Sequence, residues 1–262
     1  MNQENLNNKN EISETKTTDV ALTSTQFAAD AGSGLENVTS EDMAIPRLKI
    51  LQALSPEVNK ADGKYVEGAN AGDVINTVTS VLYTESNPLV VLPVAYKRLF
   101  LEWTPRESGG GLVAQHDDVS ILDKTTKNNF GQDALPNGNY IQTSASHFLI
   151  VLNKDGSFDQ AMLAMAGTQL KKSRTWNSMM ASAKMTVDGK VFTPPSYSTK
   201  YTLKTVQESN DRGSWFGWSI SSGGALSQEE MVYYEAAKGF ASSVGGMSFG
   251  TSTESETSDQ PF

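Results

Sequence analysis

The chain has no cysteine, which excludes disulfides, thiolate nucleophiles and thiolate metal sites together and fits a reducing, cytoplasmic setting. Histidine is nearly as scarce, with only His116 and His147. His116-Asp117-Asp118 lies in a turn-rich stretch and reads more simply as polar side chains facing water than as a metal centre. No run of about 18 apolar residues occurs, so no membrane-spanning helix is expected. The opening MNQENLNNKNEISETK has no basic start followed by an apolar core, so it does not read as a signal peptide. The G-x-x-x-x-G-K-[ST] phosphate loop is missing, and Gly109-Gly110-Gly111 has neither the lysine nor the following helix to replace it. Carboxylates in the middle of the chain stand singly on turns, which does not suit two-metal nuclease chemistry. These gaps point to a non-enzymatic protein without a cofactor.

Positive charge is also short overall, with 21 Lys and Arg against 30 Asp and Glu and a net charge of −9. The deficit belongs to the ends. Residues 1–44 carry eight acids against two lysines, residues 219–262 carry six against one, and the middle is left at +2. Between Gln160 and Gln207 the bases are Lys171, Lys172, Arg174, Lys184, Lys190, Lys200 and Lys204, and the single acid is Asp188. Trp176, Phe192, Tyr197, Tyr201, Trp215, Phe216 and Trp218 lie in or beside that stretch. Cations interleaved with flat rings suit a polyanion with unstacked bases, because cations follow phosphates while each ring can stack on a base for about 1–3 kcal/mol.

Residues 1–34 are rich in Asn, Ser, Thr and Glu and poor in large apolar groups, so they read as a disordered acidic leader. One nucleic-acid-binding domain is expected over 35–245, and 246–262 reads as a flexible linker with an acidic tail. Pro46 blocks a continuous helix near the domain's start, leaving a short turn followed by a strand or a helix. DVINTVTSVLY, after Gly72, is dense in β-branched residues and predicts a strand, as does the longer LVVLPVAYKRLFLEW from Leu89 to Trp103. Pro93 cannot donate to a ladder, so this second strand should bend, bulge or lie on an edge. Beyond Pro93, Lys97, Leu99, Leu101 and Trp103 should face one way and Tyr96, Arg98, Phe100 and Glu102 the other.

Residues 104–143 form a long excursion with turn chemistry throughout and room for a short hairpin. Strands return at 147–153 and 158–167 around the Lys154-Asp155-Gly156-Ser157 turn. A helix capped by Thr168 should run to about Lys184, with Trp176, Met179, Met180 and Ala183 on its apolar face. Two further strands follow, and a last helix starts from the N-cap Ser227. The expected fold is therefore mainly β. It would be an OB-like five-stranded Greek-key barrel with extra strands, one helix between the third and fourth barrel strands, and a C-terminal helix.

The chain closes on Glu254-Ser255-Glu256-Thr257-Ser258-Asp259-Gln260-Pro261-Phe262, an apolar ring beside the terminal carboxylate on an acidic stalk. With this tip, and with AIPRLKILQALSPEV, TQLKKSRTWNSMM and ESNDRGSWFGW in the body, the chain resembles the single-stranded DNA-binding proteins of bacteria and bacteriophage replication modules. The resemblance implies an OB-fold that coats single-stranded DNA in phage replication and recombination. It also implies a tail that recruits a polymerase, helicase or primase through Asp259, Pro261 and Phe262. Lys97, Arg98, Lys171, Lys172, Arg174, Lys200 and Lys204 would meet phosphates, and Phe100, Tyr201 and Trp215 would stack bases. Trp176 beside two methionines fits packing better than stacking, and of Trp215, Phe216 and Trp218 one face belongs to the core. Two rivals are a mediator that anneals complementary strands and a phage assembly protein whose basic patch binds an acidic protein. A homo-oligomer is compatible with either.

Overall fold

The computed structural model of the protein describes residues 25–38, 44–211 and 213–246. The chain divides into a unit over residues 1–44, whose described part holds one short helix at 25–29, and a second over 45–262. Asp259, Pro261 and Phe262 lie outside the described residues.

The second unit is mainly β. Its principal sheet is an eight-stranded, curled antiparallel half-barrel built on two long central strands, β4 (Leu89–Trp103) and β8 (Tyr140–Leu152). The DVINTVTSVLY segment does not join it. That segment divides into β2 (Val74–Asn76) and β3 (Leu82–Tyr83), which with β1 (Leu48–Ile50) make a separate three-stranded sheet. The break has a local cause that outweighs β-branched propensity: the Asn76 side-chain oxygen accepts from the backbone N–H groups of Val78 and Thr79, and Ser80 takes a φ of 57°. The excursion after β4 returns as β5 (Leu112–His116) along β4, then the short hairpin β6 (Thr126–Lys127) and β7 (Asp133–Ala134) leading into β8. β9 (Phe158–Ala166) lies on the far side of β8. The hairpin β12 (Thr199–Asn210) and β13 (Gly213–Ala225) continues the sheet from β4 through Leu89, Val90 and Val91.

Pro93 sits where the register of β4 slips against β8, between the pairs Pro93–Leu149 and Ala95–Phe148. The extra residue, Val94, exchanges the two faces. Before it, Leu89 and Val91 share a face with Leu149 and Val151. After it, Tyr96 and Arg98 take that face, opposite His147 and Ala145.

That face is covered by α1 (Leu170–Ser182) and the small sheet, burying Leu89, Val91, Leu149, Val151, Leu163, Met165, Trp176, Tyr201 and Trp218. The other face is covered by α2 (Met231–Gly246), whose Ala237, Phe240 and Val244 pack on Leu92, Phe148 and Ile150. A capping box between Ser227 and Glu230 leads into α2. Both faces of β4 are thus buried over Val91 to Val94, which explains an unbroken apolar run where an alternating one would suit a half-exposed strand. A two-stranded arm, β10 (Met185–Val187) with β11 (Lys190–Phe192), stands apart from both sheets.

The outer edge of β13 is closed by side chains. Gln52 donates from Nε2 to the Phe216 carbonyl at 3.0 Å and accepts from the Phe216 N–H at 2.8 Å, as a neighbouring strand would. One residue pair further, Gln169, at the entry to α1, accepts from the Trp218 N–H at 2.9 Å. A Cβ at Gly217 between them would come 2.6 Å from Gln169 Nε2 and 2.7 Å from Glu208 Oε2, so both side chains would have to move to admit it.

Candidate nucleic-acid interface

Helix α1 is fixed to the sheet by rings. Trp176, fully buried, stacks on His147 with centroids 4.6 Å apart and 27° between planes, and meets Tyr201 edge-on at 5.7 Å. On its other side His147 touches Tyr96 at 5.1 Å. His147 Nε2 lies 2.8 Å from Ser173 Oγ one turn before Trp176. Burial pushes the imidazole pKa down to about 4, so at neutral pH the ring packs uncharged. Because Ser173 and Trp176 point inward, the helix turns Lys171 and Arg174 to solvent. Tyr96, 38 % exposed, and Arg98, also exposed, emerge on this same sheet face. Arg98, Lys171 and Arg174 form no ion pair with a described residue.

Beside Tyr96 and Arg98 is an open depression of about 580 Å³ lined by these two, Phe100, Asp117, Asp118 and Val119. Glu102 fastens the strands on which it is built. This buried carboxylate accepts from Asn139 at 2.6 Å, from Asn137 at 3.3 Å and from His116 at 2.9 Å, tying β4 to β5 and to the turn before β8. The Asn139 bond, helped by those from His116 and Asn137, holds the Glu102 carboxyl below the usual range against its burial.

The ten expected contact residues do not gather in one trough. Lys97 and Arg98 point to opposite faces of β4, and Lys97 shares its face with the α2 side of the sheet. Lys172 is 2.9 Å from Glu208, and Lys200 is 2.6 Å from Glu230, so each cation is neutralised within the fold. Burial raises the Glu208 carboxyl, but the Lys172 ammonium and the Gln169 and Trp215 donors outweigh it and leave the pKa lowered. Lys204 is exposed on the side of β12 away from Tyr201 and Leu203.

Two of the rings expected to stack bases, Phe100 and Tyr201, are covered. Each is only 2 % exposed, Tyr201 inside the core and Phe100 as the floor of the depression, so neither offers a free ring face. Trp215 is partly buried and spends its N–H on Glu208 at 3.0 Å.

Tyr96 and Phe130 are exposed rings that were not among the expected stacking residues. Tyr96 alternates with Arg98 in the residues themselves, so its position was there to be found. Phe130 is 78 % exposed at the tip between β6 and β7, where Asn128 Oδ1 accepts from the N–H groups of Phe130 and Gln132 and fixes the loop. The signal was a phenylalanine enclosed by Asn128, Asn129 and Gly131 in a turn, where no core position exists for it.

A family model described as "Pam3 phage gp34-like protein" matches residues 3–249. No curated protein and no solved structure matches the chain.

Proposed function

We propose, from the premise that this chain belongs to the Pam3 phage gp34-like family, that it is a non-enzymatic protein that binds single-stranded DNA and coats it during phage replication and recombination. The observation that carries the reading is one sheet face on which the exposed ring of Tyr96 and the guanidinium of Arg98 stand beside a helix presenting Lys171 and Arg174. A ring next to cations that the fold has not neutralised suits stacking on bases with phosphates tracked alongside. The curled half-barrel, OB-like in this reading, supplies a rigid platform for them. Lys172 and Lys200 hold the fold through Glu208 and Glu230, leaving Arg98, Lys171 and Arg174 as the phosphate contacts. The tail from Glu254 to Phe262 recruits replication enzymes through Asp259, Pro261 and Phe262.

The test is anisotropy of fluorescein-labelled oligo-dT titrated with the full chain at low salt. A rise that saturates, and that weakens as salt is added, supports the reading. No change in anisotropy, or a complex insensitive to salt, overturns it. Intrinsic fluorescence is a poor substitute, because Trp103, Trp176 and Trp218 are all 5 % exposed or less.

A further inference from the structure

The depression beside Arg98 has walls of opposite chemistry. On β4 it has the exposed ring of Tyr96 and the guanidinium of Arg98, over the buried floor of Phe100. Also lining it, on the segment that leaves β5 beside β4, are the exposed carboxylates of Asp117 and Asp118 with Val119. Asp118 Oδ1 accepts from the Ser120 N–H at 2.9 Å and caps the turn Val119–Lys124. The Ser120 side chain and the Lys124 charge also act on this carboxylate, and both aspartates are exposed to solvent. Two carboxylates repel phosphate, so the hollow itself suits a base rather than the backbone, and Arg98, with five N–H donors, can meet a base edge inside it and a phosphate at its rim.

A flat group with adjacent donors on one edge and adjacent acceptors on another complements both walls. Among the four bases that group is guanine. Its N1–H and N2–H₂ match a carboxylate, its O6 and N7 match a guanidinium, and its ring can lie against Tyr96. Adenine and cytosine each mix a donor with an acceptor on the edge a carboxylate would meet, and thymine offers a single N–H there. We infer that the depression between Arg98 and Asp117-Asp118 is a guanine-selective subsite on an otherwise sequence-tolerant single-strand surface. The subsite rests on the single-strand reading above and gives the coated strand a phase set by its guanines.

The test uses the full chain and labelled 12-mers of dT carrying one central dG, dI or dA. The dG strand should bind about tenfold tighter than dT alone. The dI strand, lacking the N2 amine, should lose most of that gain, and dA should show none. The double substitution Asp117→Asn with Asp118→Asn should abolish the dG preference while leaving dT binding at least as tight. Asparagine caps the Val119 turn as aspartate does, so the loop is retained. Equal affinity of the wild-type protein for dT and dG strands overturns the subsite while leaving the single-strand reading intact, whereas failure to bind any strand overturns both. Free dGMP, added as competitor, separates the two sources of the base. Competition by dGMP without a strand preference would mean a nucleotide pocket and overturn the strand subsite.

Discussion

Replacing Arg98, Lys171 and Arg174 together by alanine should flatten the salt dependence of single-strand binding without unfolding the protein. All three side chains are exposed and form no ion pair with a described residue, so the fold loses little with them. Each phosphate neutralised on a single strand contributes about −0.7 to the slope of log K against log salt, so three contacts supply a slope of about −2. Between 50 and 200 mM salt that slope corresponds to about a 16-fold loss of affinity. The triple variant should lack this component.

The contrast is Lys172→Ala with Lys200→Ala. These cations lie 2.9 Å from Glu208 and 2.6 Å from Glu230 and are partly buried, so each already has its counter-charge. Removing them should leave the slope near wild type and cost at most about 1 kcal/mol of stability per pair. Anisotropy across a salt series gives the slopes, and urea unfolding gives the stabilities. The reasoning is refuted if the paired lysines carry the slope, or if the triple variant keeps it.

Gln52→Ala removes both side-chain bonds to the edge of β13 and leaves the Phe216 N–H and C=O without them. It should destabilise the fold by about 1–3 kcal/mol, read as a lower urea midpoint with an unchanged m-value. The His147 pKa is depressed to about 4 from an unfolded value near 6.5, so the folded state binds fewer protons between those values. Its contribution is whole above pH 6.5 and is lost as pH falls towards 4, by roughly 3 kcal/mol at the most. His147→Phe, which keeps a ring against Trp176, should remove that loss from a pH series of urea midpoints. A wild-type stability flat from pH 6.5 to 4.5 would contradict it. Deleting Glu254 to Phe262 should tighten oligo-dT binding at low salt by removing a tethered competitor. Identical isotherms would leave the tail without a role on this surface.

Much of the local information was carried by the residues themselves. The alternation of Tyr96, Lys97, Arg98 and Leu99 assigned the faces of β4, Pro93 marked its irregularity, and Ser227 marked the start of the last helical segment. Trp176 and the two methionines beside it named the inward face of α1. Two local signals were misread: the Asn76 side chain broke a β-branched segment that composition made continuous, and Thr168, expected to cap α1, lies inside the 3-10 turn Gly167–Gln169 before it.

What composition and spacing determined by themselves was a mainly β body with acidic ends and a cation-rich stretch, because periodicity and charge are properties of neighbouring residues. The division of that stretch into cations paired within the fold and cations left exposed came only with the tertiary structure. Glu208 meets Lys172 from β12, and Glu230 meets Lys200 from the cap of α2, across separations that no window of sequence spans. The same holds for Phe100 and Tyr201. Each sits on a strand near bases, yet the layers folded over the half-barrel bury one in the core and leave the other as a floor, and it is Tyr96, just past the end of that cover, that reaches solvent. Burial depends on what packs above a residue, and that is fixed by long-range pairing of the sheet rather than by the residue's own neighbours.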